Sequence, residues 1–351
     1  MKFISKLTLF LSAALVLFQG CFRDEIIINP NPSNLPNKLG VYVLSEGNGL
    51  ANQSKLSFLS FANGDFNLNI TFPSVLGLYP DGLIQYNGNY MYIIERGSPG
   101  SSGTIYKLDT NGIISGSNNF GVNPYSLAAA NGKAYCTNGP DSSVSVIDLS
   151  SLTEIKRIKV GLYPQEITTI GNKVFVVNTH ITGGGIDSTI SVIDVINDVN
   201  VAQVRVSTSL TSLAVTNDGY LLVGSSSRGG VIYKISPANY AKVDSFSVNS
   251  ATIKDINVDN TSDNIYFIRD NNSIVQLNLS DRSLTPVITP SVSNGIAYIN
   301  GYAYDAKKQK HYIADARDFF LNGFLYKFNS TGQLESAFQT GIRPRRILIR
   351  N

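Results

Sequence analysis

The 351-residue chain has no tryptophan, two cysteines, two histidines and two methionines, and only 15% of its residues are charged. Two Cys and two His leave too little for a protein-built zinc centre or a disulfide framework. They also argue against histidine-centred catalysis. Neither sign of charge is in marked excess: 28 basic residues face 25 acidic ones, and loss of Lys2 and Lys6 with a leader leaves 26 against 25. A broad nucleic-acid-binding surface needs a clear basic excess, so the balance argues against one, and no nucleic-acid partner is expected. Beyond the first twenty residues there is no long apolar pattern of helical period. What is present is 43% hydrophobic and 10% aromatic residues with 30 Gly and 13 Pro. That composition suits a packed globular domain rather than a disordered chain.

Residues 1–20 carry Lys2 and Lys6, then an apolar stretch from Leu7 to Phe18. The stretch is short for a membrane span and has the form of an export signal. Phe18-Gln19-Gly20-Cys21 resembles a relaxed bacterial lipobox, which implies lipidation of Cys21 as the first mature residue. An ordinary secretory signal with an unmodified Cys is the alternative. The acidic pair Asp24-Glu25 resembles the surface-export signal of Bacteroidota lipoproteins. Residues 26–38 contain three Pro and four Asn and suit an extended tether. The expected organisation is a leader at 1–20, a lipid-anchored tether at 21–38 and one globular domain at 39–351.

The domain is repetitive. Gly77-Leu78-Tyr79-Pro80 returns as Gly121-Val122-Asn123-Pro124, Gly161-Leu162-Tyr163-Pro164 and Gly341-Ile342-Arg343-Pro344. The 264 residues from Gly77 to Gly341 divide into six intervals averaging 44, with eroded starts placed at Ser207, Asn249 and Ser291. Each unit continues with four short β-branched runs separated by turns such as Asn87-Gly88 and Asn131-Gly132. Four antiparallel strands in such a unit make one blade of a β-propeller, whose faces are covered only by neighbouring blades. The expected fold is all-β with seven blades. Arg346–Ile349 of the tail is expected as the first strand of a blade completed by Val41–Leu44, Lys55–Phe61 and a further strand before residue 76. Sharing one blade between the two ends removes exposed sheet edges.

Two units carry a more specific pattern: Tyr135-Cys136-Thr137-Asn138 before Val144–Asp148, and Val176-Val177-Asn178 before Ile190–Asp194. This resembles the YVTN/YncE-like seven-bladed propellers, and the absence of Trp removes the Trp-Asp signature of WD40 repeats. The opening Tyr42–Gly49, followed by Leu56-Ser57-Phe58, resembles Bacteroidota propeller lipoproteins that include surface cobalamin-binding proteins. The resemblance implies capture of a small-molecule nutrient and handover to a TonB-dependent outer-membrane transporter. A corrinoid or other metal complex is then a candidate ligand.

In a propeller, the loops leading into first strands and the loops joining second to third strands share one face, here termed the top. A ligand site there gathers one or two residues per blade. The lead-in loops offer Tyr79, Asp81, Asn123, Tyr125, Tyr163, Gln165, Arg343 and Arg345. The 2–3 loops offer Glu46, Asn48, Arg96, Asn138, Asn178, His180, Arg317 and others. The candidate ligand-binding set is Glu46, Asn48, Tyr79, Arg96, Asn123, Tyr125, Asn138, Tyr163, Asn178, His180, Arg317 and Arg343. Tyr gives a flat apolar area with a polar tip, and Asn both donates and accepts. The same Tyr residues can equally pack adjacent blades, and His180 can be a simple exposed loop residue. His311 and Cys136 read as structural. The stretch 315–321, with Phe319, Phe320 and Leu321, can form a lid, a partner contact or a self-packed loop. Arg343, Arg345 and Arg346 bring positive charge to the closing blade, where strand alternation would turn some of them outward.

Binding without turnover is the expected role, on a monomer that touches the membrane only through its anchor, at the cell surface of the outer membrane. No cofactor or protein-held metal is required. Two other readings stay open. One is a calcium-dependent lactonase-like hydrolase with Glu46 as an oxygen ligand; the other is a protein-interaction scaffold.

Overall fold

A computed structural model describes residues 39–351 apart from 88–89, 110, 180–184 and 271. The leader, Cys21, the tether and His180 lie outside the described residues. Among the described residues, twenty-eight strands, numbered in chain order from β1 (Gly40–Ser45), form seven four-stranded antiparallel sheets. Among the described residues the only helical element is one 3₁₀ turn, Ser227–Gly229. None of their helices is long and apolar enough to cross a membrane.

The innermost strands are β28 (Pro344–Arg350) in blade 1, then β4 (Pro80–Tyr86), β8 (Pro124–Ala130), β12 (Pro164–Ile170), β16 (Leu210–Val215), β20 (Ile253–Val258) and β24 (Ile299–Asp305) in blades 2 to 7. Blade 1 is shared: its order is β28, β1, β2 (Lys55–Ser60) and β3 (Phe66–Asn67). Val41 faces Ile349 and Val43 faces Ile347 across the closing pair. The tail strand is longer at both ends than the sequence predicts. The start expected at Ser207 agrees with β16, whereas those expected at Asn249 and Ser291 fall one and five residues early. By alignment on the first residue of the inner strand, the matching positions are Ser250 and Ile296. Neither carries the Gly or Pro of the turn, which is why spacing alone misplaces them.

Seven hydrophobic clusters fill the spaces between blades, and each joins two neighbours. Tyr42, Leu44 and Phe58 of blade 1 meet Met91, Ile93 and Leu108 of blade 2. Tyr135 and Val146 of blade 3 meet Val174 and Ile193 of blade 4. Second strands such as β13 (Lys173–Asn178) are buried on both faces after their first residue. They therefore read as unbroken apolar runs rather than alternating ones. Outer strands such as β15 (Val199–Arg205) alternate between exposed and half-buried positions. His311 is fully buried in the second strand of blade 7, where Nδ1 shares a 2.8 Å hydrogen bond with the Tyr302 hydroxyl. Burial lowers its pKa to about 4. Cys136 is a buried free thiol, as expected.

Candidate functional site

Every innermost strand breaks register one or two residues after its first residue. The interruptions fall between Pro80 and Gly82, Pro124 and Leu127, Pro164 and Ile167, and Leu210 and Ser212. They recur between Lys254 and Asn257, between Ile299 and Gly301, and opposite Leu44/Ser45 in β28. A bulge gives up the strict alternation of a strand and re-aims side chains. Consecutive residues can then share one side. Arg345 and Arg346 both turn into the central channel near the top mouth, whereas Arg343, just before the strand, turns away onto the 315–321 loop.

Four blades hold the two arginines. Arg345 Nη1 donates to both carboxylate oxygens of Asp255, at 3.1 and 2.9 Å. Arg346 Nε donates to the carbonyl and carboxylate of Asp81, at 2.8 and 3.1 Å. Its two terminal nitrogens each lie 3.2 Å from Glu166 Oε1. The guanidinium also sits over the Tyr125 ring, 5.4 Å from its centre. Burial, then Asp81 and Glu166, push the Tyr125 phenol up to about 12. Gly301 permits the approach of blade 1 to blade 7, since a Cβ there would stand 1.9 Å from the Arg345 carbonyl oxygen.

Nearer the mouth, Arg96 lies 4.0 Å from both Glu46 and Asp81 and over the Tyr79 ring. Burial, followed by the neighbouring Asp81, raises the Glu46 pKa to about 7 against the pull of Arg96. A calcium ion between these two carboxylates would have to displace the Arg96 guanidinium. Among the described residues no three His, Cys, Asp or Glu side chains converge to hold a metal.

The raised Glu46 pKa has a consequence for stability. A carboxyl that titrates near 7 when folded and near 4.5 when unfolded favours folding fully below 4.5, and that contribution is lost as pH rises through 7. Glu46→Gln is therefore expected to match the parent near pH 4 and to exceed it at pH 8 by about 3 kcal/mol. Denaturant unfolding across this range tests it; parallel stability curves for the two proteins would discard the assignment.

Below the ion pairs lies a cavity of about 180 Å³, walled by Glu166, Ser212, Asp255, Asn257, Arg345 and Arg346 among others, from five different blades. The bonds of Arg345 run through Nη1, so its Nε and Nη2 make no protein hydrogen bond among the described residues.

The twelve residues predicted from the sequence divide by place. Glu46, Arg96 and Tyr125 join the charged channel, with Tyr79 beneath Arg96. Asn138 and Asn178 are fully buried inside their blades. Asn138 Oδ1 accepts the Val122 N–H at 3.2 Å, while Asn178 donates to Thr189 and Ser191. Glu95 does the same for blade 2, accepting the N–H groups of Leu78, Tyr79 and Gly97. Asn138 and Glu95 thus hold the lead-in turn directly, whereas in blade 4 Ser191 and Asp187 accept the Gly161 and Leu162 N–H groups and Asn178 supports Ser191. Asn123 ties the next loop, donating to the carbonyls of Arg96 and Ser98 and accepting Gly100 N–H. The Tyr163 ring packs on Gly139. Arg343 donates to the Phe319 carbonyl and covers its ring, Arg317 covers Phe324, and Phe319 also packs edge-on against Tyr298. The 315–321 loop is thus partly self-packed, with Phe320 and Leu321 left exposed. Asn48 is exposed at the rim.

Glu166, Ser212, Asp255, Asn257 and Tyr302 were not predicted. All sit on inner strands, and the signal for three of them was position: Glu166, Ser212 and Asp255 stand second after the first residue of the strand, as Arg346 does.

Solved structures share this architecture. A quinoprotein alcohol dehydrogenase-like protein from Bacteroides thetaiotaomicron superposes with a TM-score of 0.68 at 16% identity, over 90% of this chain and 79% of its own. The hydrazine synthase of Kuenenia stuttgartiensis gives 0.62 at 18%, over 75% of this chain and 87% of its own. Citrobacter koseri AztD gives 0.53 at 12%, over 88% and 96%. The likeness is one of fold. No protein-family model and no curated protein matches the chain by sequence.

Proposed function

We propose that the protein is a binding propeller that holds a small polar molecule, or one polar arm of a larger one, at the top of its channel. The observation that carries this reading is the 180 Å³ cavity in which Arg345 and Arg346 meet Glu166 and Asp255. Two guanidinium groups against two carboxylates give a near-neutral wall rich in both donors and acceptors. Such a wall selects amide, hydroxyl or zwitterionic groups over a plain ion. The volume is below that of a drug-sized site, so a corrinoid would rest on the mouth and insert one amide arm. Because the arginines are already fixed by carboxylates from other blades, little ordering is needed on binding. The lipobox-like Cys21 and the acidic pair after it support anchorage at the cell surface, and the resemblance to Bacteroidota propeller lipoproteins supports a TonB-dependent transporter as recipient.

Thermal unfolding with cyanocobalamin, glutamine, malate and a disaccharide tests the site. At one hundred times Kd, a ligand stabilises by about 2.7 kcal/mol, a readable rise in Tm. Arg345→Lys retains the charge facing Asp255 but loses the planar fork, and should remove most of that rise. A gain that survives both Arg345→Lys and Asn257→Ala, or no gain with any compound, would overturn the proposal.

A further inference from the structure

A second cavity, of about 280 Å³, opens on the opposite side of the ring between blades 7 and 1, lined by Phe61, Gly64, Lys308, Lys310, Tyr312 and Lys327 among others. Its meaning comes from comparison with another junction of the same molecule. In β9 (Lys133–Asn138) of blade 3, Lys133 opens the strand and Tyr135 follows two residues later. In β25 (Lys310–Asp315) of blade 7, Lys310 and Tyr312 hold those positions. Tyr135 faces Ala128, as Tyr312 faces Ala303.

At the first junction a carboxylate from the next blade completes the group. Asp198 accepts from Lys133 Nζ at 2.7 and 2.8 Å and from the Tyr135 hydroxyl at 2.6 Å. Asp198 is the fourth residue after β14 (Thr189–Asp194), with φ +54°. The fourth residue after β2 is Gly64, with φ +77°. Glycine therefore stands where the carboxylate should be. The Tyr312 hydroxyl is fully buried and has no hydrogen-bond partner among the described residues, and the cavity lies beside it.

A buried phenol without an acceptor is costly, and such groups call for an explanation. The walls also hold three ammonium groups. Lys310 and Lys327 share Glu335, while Lys308 caps the Phe61 ring at 3.9 Å and donates to Asn351. Besides Glu335, the acidic group acting on Tyr312 is Asp305. Burial pushes the phenol above its ordinary pKa, so it stays protonated and able to donate. Phe61 and Phe338, the latter stacked on Phe66, supply an apolar side.

We propose that this cleft is a binding site for a small organic carboxylate with an apolar body, whose carboxylate takes the place that Asp198 fills at the blade 3–4 junction. Tyr312 donates to it, Lys310 and Lys308 neutralise it, and the apolar body lies against Phe61 and Phe338. The site is independent of the channel.

The probe is benzoate, with benzamide as its neutral counterpart and phenyl phosphate as the alternative oxyanion, titrated into the folded protein by calorimetry or ligand-observed NMR. Benzoate should bind saturably with Kd at or below about 1 mM, and benzamide at least tenfold more weakly. Tyr312→Phe should weaken benzoate about tenfold or more. Gly64→Asp restores the missing carboxylate; a Cβ at Gly64 meets nothing within 4 Å, and the strain of φ +77° on an L side chain is smallest for Asn and Asp, as Asp198 itself at φ +54° illustrates. That variant should lose benzoate binding and melt higher than the parent, while channel ligands are unaffected. No saturable benzoate binding, equal binding of benzamide, or undiminished binding by Tyr312→Phe would each overturn the proposal. Preference for phenyl phosphate would also overturn the carboxylate assignment.

Discussion

A chain ending at Arg343 should fail to fold cooperatively. The truncation deletes β28, the innermost strand of the shared blade, and leaves the β1 edge, whose six residues are all buried, without its partner. Ile347, Leu348 and Ile349 leave the clusters on either side of blade 1. Full burial of such a side chain is worth about 1.5–3 kcal/mol, and each of these three, half-buried, contributes about half of that. Arg345 and Arg346 go with them, stranding Asp255, Asp81 and Glu166, and an uncompensated buried charge costs about 3–5 kcal/mol. The losses together are on the order of 10 kcal/mol or more, comparable with the whole stability of an ordinary domain. Circular dichroism melts of matched chains ending at 343 and 351 decide the matter. A single cooperative transition in the shorter chain, within about 5 °C of the longer, would mean that ring closure does not hold the fold.

Arg346→Met is expected to cost about 3–5 kcal/mol while leaving the fold intact. The reason is position rather than charge count. Arg346 reaches from blade 1 to Asp81 of blade 2 and Glu166 of blade 4, and covers Tyr125 of blade 3. Methionine fills similar volume but leaves Asp81, only 2% exposed, without its strongest partner. Lysine should recover little, because a single ammonium cannot serve two carboxylates and an aromatic face in one plane. The surface pair Arg282–Asp244 is the control: its Arg side chain is 56% exposed, and its loss should cost no more than about 1 kcal/mol. Denaturant midpoints at constant m-value measure both. If Arg346→Met costs no more than that control, the channel ion pairs are not what fixes the blades around the mouth.

The repeat was legible because each blade imposes the same local demands. Second strands are buried on both faces and appear as unbroken runs such as Val174–Val177, while third strands such as Val231–Ile235 keep buried and half-buried positions mixed. The turn before the first strand needs a compact start and a fixed φ, which Gly77, Gly121, Gly161 and their prolines supply. Where a blade meets those demands with other residues, as at Ser250 and Ile296, the period blurred and the starts were misplaced. Asn138 and Asn178 are polar residues at strand ends, yet the first accepts a turn N–H and the second donates to hydroxyls of the neighbouring strand. Polarity at such a position satisfies backbone donors as readily as it binds a ligand.

Sequence by itself determined the sevenfold β architecture and its closure by the tail, because burial period and turn chemistry are properties of short segments. It did not determine which side chains share the channel. Arg346 and Asp81 are 265 positions apart, and they meet only because register breaks turn both inward on strands that closure makes neighbours. The same holds for Gly64 and Tyr312, whose relation to Asp198 and Tyr135 exists only once the blades stand side by side.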